Sequence, residues 1–516
     1  MSLKHLVPLL VTAGLVATGL PVLTAAQASA APADGYAGRK LDWQPCKAPW
    51  PTPDTFQCAT VKVPLDYQRP DGPTMDLAIS RIKSTSPGKR RGALFTNPGG
   101  PGSIGLGMPM QLSEELPQEV LDRYDLIGID PRGVGRSSPI TCGLAPEEVP
   151  VDRPYRPETF DSDVTWAKTV ADKCRQKAGD VLPHITTRNT ARDMDTVRAV
   201  LGEEKISYLG ASYGTYLGAV YTQMFPDRTD RVVLDSGVDP ARAWRGMQQA
   251  QSERSAPAFD RWTRWVAQRD AEFGLGDSPK AVSDVFWALL ARVEKKPVEW
   301  EGRSWTATDI RSLMRAAFGN LEASTDLFAG FKAAAEGATP PAGTEAAMPE
   351  KLPGSTTEKT WAVGESGGEP AYDNSMAVNW AVMCGDVEWP SEPEQYAKDA
   401  ARDKKAYPIW GDIASNIKPC AFWDKPAEPA TAMDKPAPNV LVVQNEWDPQ
   451  TPLSSGEGLH QALKDSRMVT VTGGYTHILY TRKDNCAMAP VTEYLTTGRL
   501  PEKNLTCTNP DSSTAP

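Results

Sequence analysis

A serine flanked by glycines, Gly210-Ala211-Ser212-Tyr213-Gly214, lies where an apolar segment ends and a helical pattern begins. In a G-x-S-x-G turn of this kind the serine sits on a sharp strand-to-helix bend, and the glycines avoid steric clashes there. The pattern alone is short enough to arise by chance, so its position between a strand pattern and a helix pattern is the stronger argument. We therefore predict that Ser212 is a nucleophile.

A serine hydroxyl is inert at neutral pH without a general base, and the chain has only four histidines. His5 belongs to an N-terminal segment that we expect to be removed, and His460 lies in a helical pattern that indicates an exposed position. His184 precedes the serine, whereas His477 lies in a glycine-bearing loop after the last predicted strand of the sheet. The chain order Ser, Asp, His of hydrolases with this turn favours His477, with His184 as the alternative.

The carboxylate that orients the base is expected after the strand that precedes the histidine loop. The apolar run Asn439–Gln444 leads into a short polar loop. In this loop Asp448 is followed by a turn-forming proline and completes the order Ser, Asp, His. Glu446 is the alternative, either as the acid or as a group facing the substrate. For Thr451 two roles are open: its hydroxyl could hydrogen-bond in the acid loop and support it, or the residue could serve only the turn.

Acyl transfer also needs hydrogen-bond donors for the oxyanion that forms on the scissile carbonyl. One donor is the backbone N–H of Tyr213, directly after the nucleophile. The second is expected from the loop Asn97–Gly102, which follows the predicted strand Gly92–Thr96. Because glycines let a backbone N–H approach a carbonyl closely, we assign the second donor to Gly100, with Gly99 as the alternative.

These side chains need a sheet whose strand ends lie along one edge. From residue 42 to about residue 240 short β-branched runs alternate with helical patterns, and the alternation resumes after residue 435. Continuous apolar runs separated by helices indicate buried parallel strands, so we predict an α/β fold with a mostly parallel, doubly wound sheet. The predicted strands are Thr60–Val63, Asp76–Ile82, Gly92–Thr96, Tyr124–Ile129, Ile206–Leu209, Arg231–Leu234, Asn439–Gln444 and Arg467–Val471, and the predicted helices are Ala191–Leu201, Gly214–Met224 and Gly456–Leu463.

Between about residues 240 and 435 helix starts dominate. Ser278, Thr308 and Ser391 stand as N-caps before helical patterns, and Gly337–Gly368 has the composition of a loop. Most tryptophans lie here; core packing accounts for most of them, and some could line apolar subsites. One sheet interrupted by a helical insertion explains this arrangement. The predicted domains are a signal peptide (1–30), a first core part (31–240), a helical cap (241–435) and a second core part (436–516).

The N-terminal segment and the cysteines indicate export. Lys4 and His5 precede the apolar stretch Leu6–Leu23, and Ala28-Ser29-Ala30 matches a signal-peptide cleavage site. We expect cleavage near Ala30 and a secreted protein; an uncleaved membrane anchor is the alternative. The even number of cysteines then favours disulfides, whose connectivity the sequence leaves open. The simplest pairing joins neighbours: Cys46–Cys58, Cys142–Cys174, Cys384–Cys420 and Cys486–Cys507.

Composition argues against several other functions. The chain has 55 Lys and Arg against 65 Asp and Glu and a net charge of −10, which disfavours sequence-independent binding to nucleic acid. No apolar run after residue 30 approaches the ~20 residues of a membrane span. No C-x-x-C or clustered histidines suggest zinc, so we expect no metal or cofactor. We expect a monomer with no stable membrane association after signal cleavage.

Three motifs together resemble the prolyl-iminopeptidase-like branch of the α/β-hydrolases: the Asn97–Gly102 loop, the Asp130–Ser137 turn (DPRGVGRS) and the Gly210–Gly214 turn. Asn97 and Pro98 replace the His-Gly of simpler members. More closely, three segments resemble the secreted actinobacterial tripeptidyl aminopeptidases, and this likeness includes the cysteine placement and nearly the whole mature chain. These segments are Thr186–Asp195, Leu209–Leu217 and Val382–Asp386. For the Asp130–Ser137 turn we expect a structural role that braces the active-site loops.

The resemblance implies an α/β-hydrolase fold with a large helical cap, and the release of short peptides, tripeptides, from free N-termini. Peptide or protein N-termini would be the substrates, and the mechanism would pass through an acyl-enzyme on Ser212. An exopeptidase must also bind the substrate ammonium, for which carboxylates are suitable ligands. The candidates are Asp386 and Glu446, and then Asp373 and Glu388.

Two other functions remain open on the residues alone. A secreted carboxylesterase or lipase-like hydrolase would use the same triad, because neither the fold nor the serine turn determines the acyl substrate. A binding protein on an inactive hydrolase scaffold is the third hypothesis, and the complete Ser, Asp, His set argues against it.

Overall fold

The computed structural model describes residues 38–47, 52–341, 344, 370–480 and 485–509. The predicted signal peptide and most of the Gly337–Gly368 loop lie outside the described residues. The strands are β1 (Gln44–Pro45), β2 (Phe56–Pro64), β3 (Thr74–Ile82), β4 (Gly92–Asn97), β5 (Tyr124–Ile129), β6 (Ile206–Ala211), β7 (Thr229–Asp235), β8 (Val298–Trp300), β9 (Arg303–Trp305), β10 (Val440–Asn445), β11 (Arg467–Thr472) and β12 (Leu505–Thr508).

The helices alternate with these strands before residue 235 and dominate between β7 and β10. They are α1 (Met108–Glu115), α2 (Gln118–Leu121), α3 (Phe160–Ala178), α4 (Thr187–Val200), α5 (Tyr213–Met224), α6 (Arg245–Ala267), α7 (Asp270–Phe273), α8 (Pro279–Lys295), α9 (Ala307–Ala317), α10 (Leu321–Glu336), α11 (Asn374–Asp386), α12 (Pro393–Ala406), α13 (Gly411–Ala414), α14 (Leu453–Ala462) and α15 (Met488–Thr497). Among the described residues, none of them is both long enough and apolar enough to cross a membrane.

Ten strands form one sheet in the order β1-β2-β3-β5-β4-β6-β7-β10-β11-β12, and β8 and β9 form a separate hairpin. From β5 to β12 every neighbouring pair is parallel, which confirms the predicted α/β class. The strands β1 to β3, in contrast, pair in antiparallel fashion. The connection from β2 to β3, residues 65–73, is too short for the helical crossover that parallel neighbours require.

Buried side chains form clusters on both faces of the sheet. Helices α1, α2 and α15 cover one face, and α3, α4, α5 and α14 cover the other. This is the doubly wound arrangement, in which a parallel strand is buried on both sides. All predicted strands form, and most of them are slightly longer than predicted. The apolar residues used for the prediction make up only part of each hydrogen-bonded strand.

The chain between β7 and β10 has a hydrophobic cluster of its own. Helices α6, α8, α9, α10 and α13 and the β8–β9 hairpin contribute to it, and Trp262, Trp300, Trp305 and Trp410 are buried there. Helices α11 and α12 instead pack on the cluster of the sheet face. We propose that the domain boundaries predicted above hold, with α6 to α10 and α13 as the body of the cap.

Two of the three predicted N-caps are wrong. The Ser278 hydroxyl accepts the Ala281 N–H, as predicted. Helix α9 is capped by Thr306 instead of Thr308, because the Thr306 hydroxyl accepts the Asp309 N–H and the Asp309 carboxylate accepts the Thr306 N–H. Helix α12 begins after Glu392 and not after Ser391, with a proline in its first turn.

All eight cysteines form disulfides. The pairs are Cys46–Cys58, Cys142–Cys174, Cys384–Cys420 and Cys486–Cys507. Each bond joins cysteines that are neighbours in the sequence, so the simplest of the possible connectivities is confirmed. The third bond fastens the C-terminal turn of α11 to the segment that follows α13.

Candidate active site

Ser212 lies on the bend between β6 and α5. Its φ of 55° is in the left-handed region, which a residue with a Cβ adopts only when the surroundings enforce it. The flanking glycines are required by close contacts: a Cβ on Gly210 would lie 2.5 Å from the Gly214 carbonyl oxygen, and one on Gly214 would lie 2.8 Å from that of Asn97. A second G-x-S-x-G match at residues 364–368 lies outside the described residues.

The structure brings His477 and Asp448 into direct contact. The Nδ1 atom of His477 lies 3.0 and 2.9 Å from the two carboxylate oxygens of Asp448. Asp448 is fully buried and also accepts the N–H groups of Gln450 and Thr451, at 2.8 and 3.0 Å, and the Thr451 hydroxyl at 2.9 Å. Thr451 therefore supports the acid itself as well as the turn.

The electrostatics of this pair suit a general base. Burial acts to raise the pKa of Asp448, but the charge of His477 and the hydrogen bonds to the carboxylate outweigh it, so this pKa is lowered. Burial acts to lower the pKa of His477, and the Asp448 carboxylate outweighs it, so this pKa is raised. The bond at Nδ1 leaves Nε2 as the nitrogen available for proton transfer.

The sheet places these residues at one edge. In the registers of neighbouring strands Ala211 pairs with Asp235, Asp235 with Val443, and Asn445 with Val471. The carboxyl ends of β6, β7, β10 and β11 therefore lie side by side. The serine turn after β6, the acid loop after β10 and the histidine loop after β11 meet at this edge, where α/β proteins bind their ligands.

Asp235 and Ser236, at the end of β7, connect the serine turn to the histidine loop. The backbone carbonyl of Asp235 accepts the Ser212 N–H at 2.9 Å. Its carboxylate accepts the N–H groups of Leu479 and Tyr480 at 2.8 and 3.0 Å, and burial raises its pKa to about 6. Asp235 was not predicted from the sequence, although an acidic residue at the end of the strand after the serine was a usable signal.

The glycine loop after β4 lies directly against the nucleophile. A Cβ on Gly99 would be 2.7 Å from the Ala211 carbonyl oxygen and 2.8 Å from the Ser212 Cβ. The Gly99 N–H donates to the Asn97 side-chain oxygen at 3.0 Å. Among the described residues the N–H of Gly100 has no such partner, so we propose Gly100 as the oxyanion donor of the two.

Replacing Gly99 by alanine should reduce kcat by about 10²- to 10³-fold, the cost of losing one oxyanion donor. The added methyl group cannot fit against Ser212, so the loop must move and carry the Gly100 N–H out of position. Steady-state kinetics check this, with Gly88→Ala as the control because nothing lies within 4 Å of a Cβ at Gly88. A Gly99→Ala enzyme with normal kcat would contradict the placement of this loop.

The Asp130–Ser137 turn braces the same region. Asp130 accepts the N–H groups of Gly105 and Leu106, at 2.8 and 3.0 Å, which holds the chain just beyond the glycine loop. Arg132 makes two hydrogen bonds of 2.7 and 2.5 Å with Asp193 of α4. These contacts confirm the structural role expected for the turn.

The other two described histidines lie elsewhere. His184 lines a cavity of about 130 Å³ together with Asp386 and Glu428, and Ser212 does not line that cavity. His460 is partly buried, with Nδ1 2.7 Å from the Ser466 hydroxyl and Nε2 2.9 Å from the Asn504 amide. The predicted exposed position of His460 is wrong, because its ring is held by the neighbouring loops.

The carboxylates proposed for the substrate ammonium lie in separate surroundings. Asp386 is buried and accepts the N–H and hydroxyl of Thr187, at 2.8 and 2.6 Å, and the Trp244 indole N–H at 3.3 Å. Burial raises its pKa to about 6. Asp373 likewise accepts the N–H groups of Cys142 and Leu144.

Glu446 and Glu388 are more accessible. Glu446 is half-buried and accepts the Gly473 N–H at 2.8 Å, and its other carboxylate oxygen has no hydrogen-bond partner among the described residues. Glu388 is exposed and lies 3.2 Å from the Lys425 ammonium. The structure thus does not pair Asp386 with Glu446, and the charge of Glu446 interacts with Arg254 and Arg261 of α6.

The cap contacts the loops of the site. Gln251 of α6 donates to the Gln450 carbonyl at 3.0 Å, and Arg315 of α9 donates to the Pro449 carbonyl at 2.6 Å. On the opposite side Asn379 of α11 donates to the Pro101 carbonyl at 3.2 Å. No local pattern in the sequence pointed to these three residues, because only the packing of the cap brings them to the catalytic loops.

Comparison with known proteins agrees with this geometry. The family described as alpha/beta hydrolase fold matches residues 92–333, and the family described as TAP-like protein matches residues 407–507. The chain is 35% identical to the tripeptidyl aminopeptidase of Streptomyces lividans over 486 residues, which cover 90% of this chain and 86% of the relative.

Two mycobacterial proteins are more distant relatives. The serine protease Hip1 of Mycobacterium tuberculosis is 28% identical over 498 residues, 91% of either chain. Carboxylesterase B of the same species is 29% identical over 467 residues, 88% of this chain and 86% of the relative. The identity to the Streptomyces lividans tripeptidyl aminopeptidase, 35% over 90% of this chain, decides the assignment. This chain belongs to the tripeptidyl aminopeptidase family, serine peptidases with the α/β-hydrolase fold.

Proposed function

We propose that the protein is a secreted serine exopeptidase that releases short peptides, tripeptides, from the free N-termini of peptides and proteins. The observation that carries this proposal is the buried Asp448–His477 pair, 2.9 Å apart, at the sheet edge that also presents the strained Ser212 turn. The named activity of the Streptomyces relative supports the substrate class. The four disulfides and the predicted N-terminal signal sequence support secretion.

In the proposed mechanism His477 Nε2 accepts the Ser212 proton while Oγ attacks the scissile carbonyl carbon. The oxyanion accepts hydrogen bonds from the N–H groups of Tyr213 and Gly100. The protonated His477 then donates to the leaving amine, and a water molecule activated by the same imidazole hydrolyses the acyl-enzyme. Asp448 remains ionised throughout, because its hydrogen bonds stabilise the carboxylate.

Release of a short N-terminal peptide also requires that the enzyme bind the free ammonium group. Of the two candidates Glu446 fits better, since one of its oxygens is available and it lies beside Asp448 in the acid loop. Asp386 already accepts three hydrogen bonds from Thr187 and Trp244, which leaves its carboxylate fewer acceptor sites for a substrate amine. Glu446 is therefore the proposed ligand of the substrate amine.

The test compares three substrates: a tripeptide anilide with a free N-terminus, the same anilide N-acetylated, and a short-chain nitrophenyl ester. We expect the free anilide to have the highest kcat/KM and acetylation to reduce kcat/KM about tenfold or more, because the charged amine contact is lost. Glu446→Gln should remove most of this preference by raising KM for the free anilide alone. Cleavage of the ester only, or indifference to acetylation, would overturn the peptidase assignment.

The second candidate, a secreted carboxylesterase, rests on the similarity to Carboxylesterase B. A carboxylesterase would use the same serine chemistry. For this function we expect a high kcat/KM for the ester and negligible cleavage of either anilide. The three-substrate comparison therefore separates the two functions.

A further inference from the structure

Arg315 is a buried cation that the cap presents to the catalytic loops. It lies on α9 and is 8% exposed. Its Nη1 donates to the carbonyl of Pro449, the residue after Asp448, at 2.6 Å. The guanidinium carbon lies 4.5 Å from the centre of the Trp410 ring, a cation–π distance.

The charge of Arg315 is not neutralised by an ion pair. No carboxylate of the described part of the chain lies within 4.0 Å of it, and its buried Nε has no hydrogen-bond partner there. Arg311, one turn earlier on the same helix, instead forms an ion pair with Asp412. Burying a charge without an ion-pair partner is costly to stability.

The charged groups that act on Arg315 and on the base are few. The charges of Asp152 and Asp448 act on the guanidinium. The charges of Asp448 and Asp235 act to raise the pKa of His477. The charge of Arg315 acts to lower this pKa, because a nearby positive charge opposes protonation of the imidazole. Arg315 of α9 thus acts on the Asp448–His477 pair from the cap, and Arg254 of α6 is a second cap cation whose charge interacts with Asp448.

We propose that Arg315 is a positioning residue that couples the cap to the catalytic pair: through Pro449 it fixes the acid loop, and it keeps a positive charge next to Asp448 and His477. This inference rests on the proposed serine mechanism. Its consequence is that the cap takes part in setting the pH range in which His477 is neutral and able to act as a base.

An arginine suits this position better than a lysine. The guanidinium is planar, so it can lie against Trp410 while one edge donates to Pro449. It also remains protonated when buried, whereas a buried lysine loses its proton more readily. A lysine at this position would keep part of the charge effect and lose the fixed geometry.

The test uses Arg315→Gln and Arg315→Lys, with Arg311→Gln as the matched control on the same helix. The activity of a histidine base falls as pH drops through the pKa of that histidine. Removal of the Arg315 charge makes protonation of His477 easier, so the acidic limb of kcat/KM should move to higher pH by about half a unit or more in Arg315→Gln. Arg315→Lys should shift the acidic limb less than Arg315→Gln does, and it should lower kcat.

All enzymes are assayed on both the free anilide and the nitrophenyl ester, with active sites counted by a serine-directed phosphonate. The ester keeps the test valid if the peptidase assignment fails, because the same base acts on both substrates. Arg311→Gln should leave the limb in place. The inference is overturned if the acidic limb of kcat/KM in Arg315→Gln coincides with that of the original enzyme. It is also overturned if this limb moves as far in Arg315→Lys, or in Arg311→Gln, as it does in Arg315→Gln.

Discussion

Replacing Ser212 by alanine should lower kcat by at least about 10⁴-fold, on free anilide and ester alike, while the fold persists. Without Oγ no acyl-enzyme can form, and only the residual effects of substrate binding and the oxyanion donors remain. The Ser212 side chain makes no hydrogen bond to other described residues, so its loss leaves the surrounding contacts intact. Kinetics on protein with an unchanged thermal unfolding midpoint provide the measurement.

The matched control for Ser212 is Ser366, the serine of the second G-x-S-x-G match. Ser366→Ala should retain activity and labelling by a phosphonate, whereas Ser212→Ala should lose both. The nucleophile assignment fails if Ser212→Ala retains more than a trace of turnover, or if the phosphonate label is found on Ser366.

Asp448→Asn should lower kcat by about 10⁴-fold, with a smaller effect on KM. The carboxylate accepts hydrogen bonds from His477 Nδ1, from two backbone N–H groups and from the Thr451 hydroxyl. An amide in this place has only one acceptor oxygen, and its NH₂ group would face a donor or force the imidazole into the wrong tautomer. The same change removes the negative charge that keeps the pKa of His477 raised.

Glu446, the alternative acid, is the comparison for this experiment. Glu446→Gln should leave kcat within about tenfold and act chiefly through KM, because its carboxylate bonds to Gly473 and not to His477. If Glu446→Gln lost more kcat than Asp448→Asn, the roles of the two carboxylates would have to be exchanged.

Residues whose roles follow from local pattern and chain order were the ones that could be predicted. Ser212, Asp448 and His477 each follow an apolar run, and the carboxyl ends of parallel strands share one edge of a sheet. The structure joins Asp448 to His477 and places the Ser212 turn at the same edge. The disulfides were also predictable, since each one closes a short segment.

Errors arose where two local solutions compete. Thr306 and Thr308 are both acceptable N-caps in the sequence, and the carboxylate of Asp309 decides for Thr306 by closing a capping box. The antiparallel pairing of β2 and β3 was not among the predictions, and the short connection between the two strands requires it. The role of Asp386 as a substrate ligand stays a prediction; its three hydrogen-bond donors belong to Thr187 and Trp244, which are distant in the sequence.

By itself the sequence determined the α/β class, the serine, acid and base candidates and the glycine loop, because spacing along the chain sets these features, whereas the structure chose the nearest-neighbour cysteine pairs among the possible connectivities. Only the tertiary structure decided which carboxylates already accept hydrogen bonds from protein groups. It also decided that Asp235 binds the histidine loop and that Arg315 of the cap donates to Pro449. These contacts join residues far apart in the chain. Their energies depend on burial and distance, which exist only once the helices of the cap have packed against the loops of the sheet.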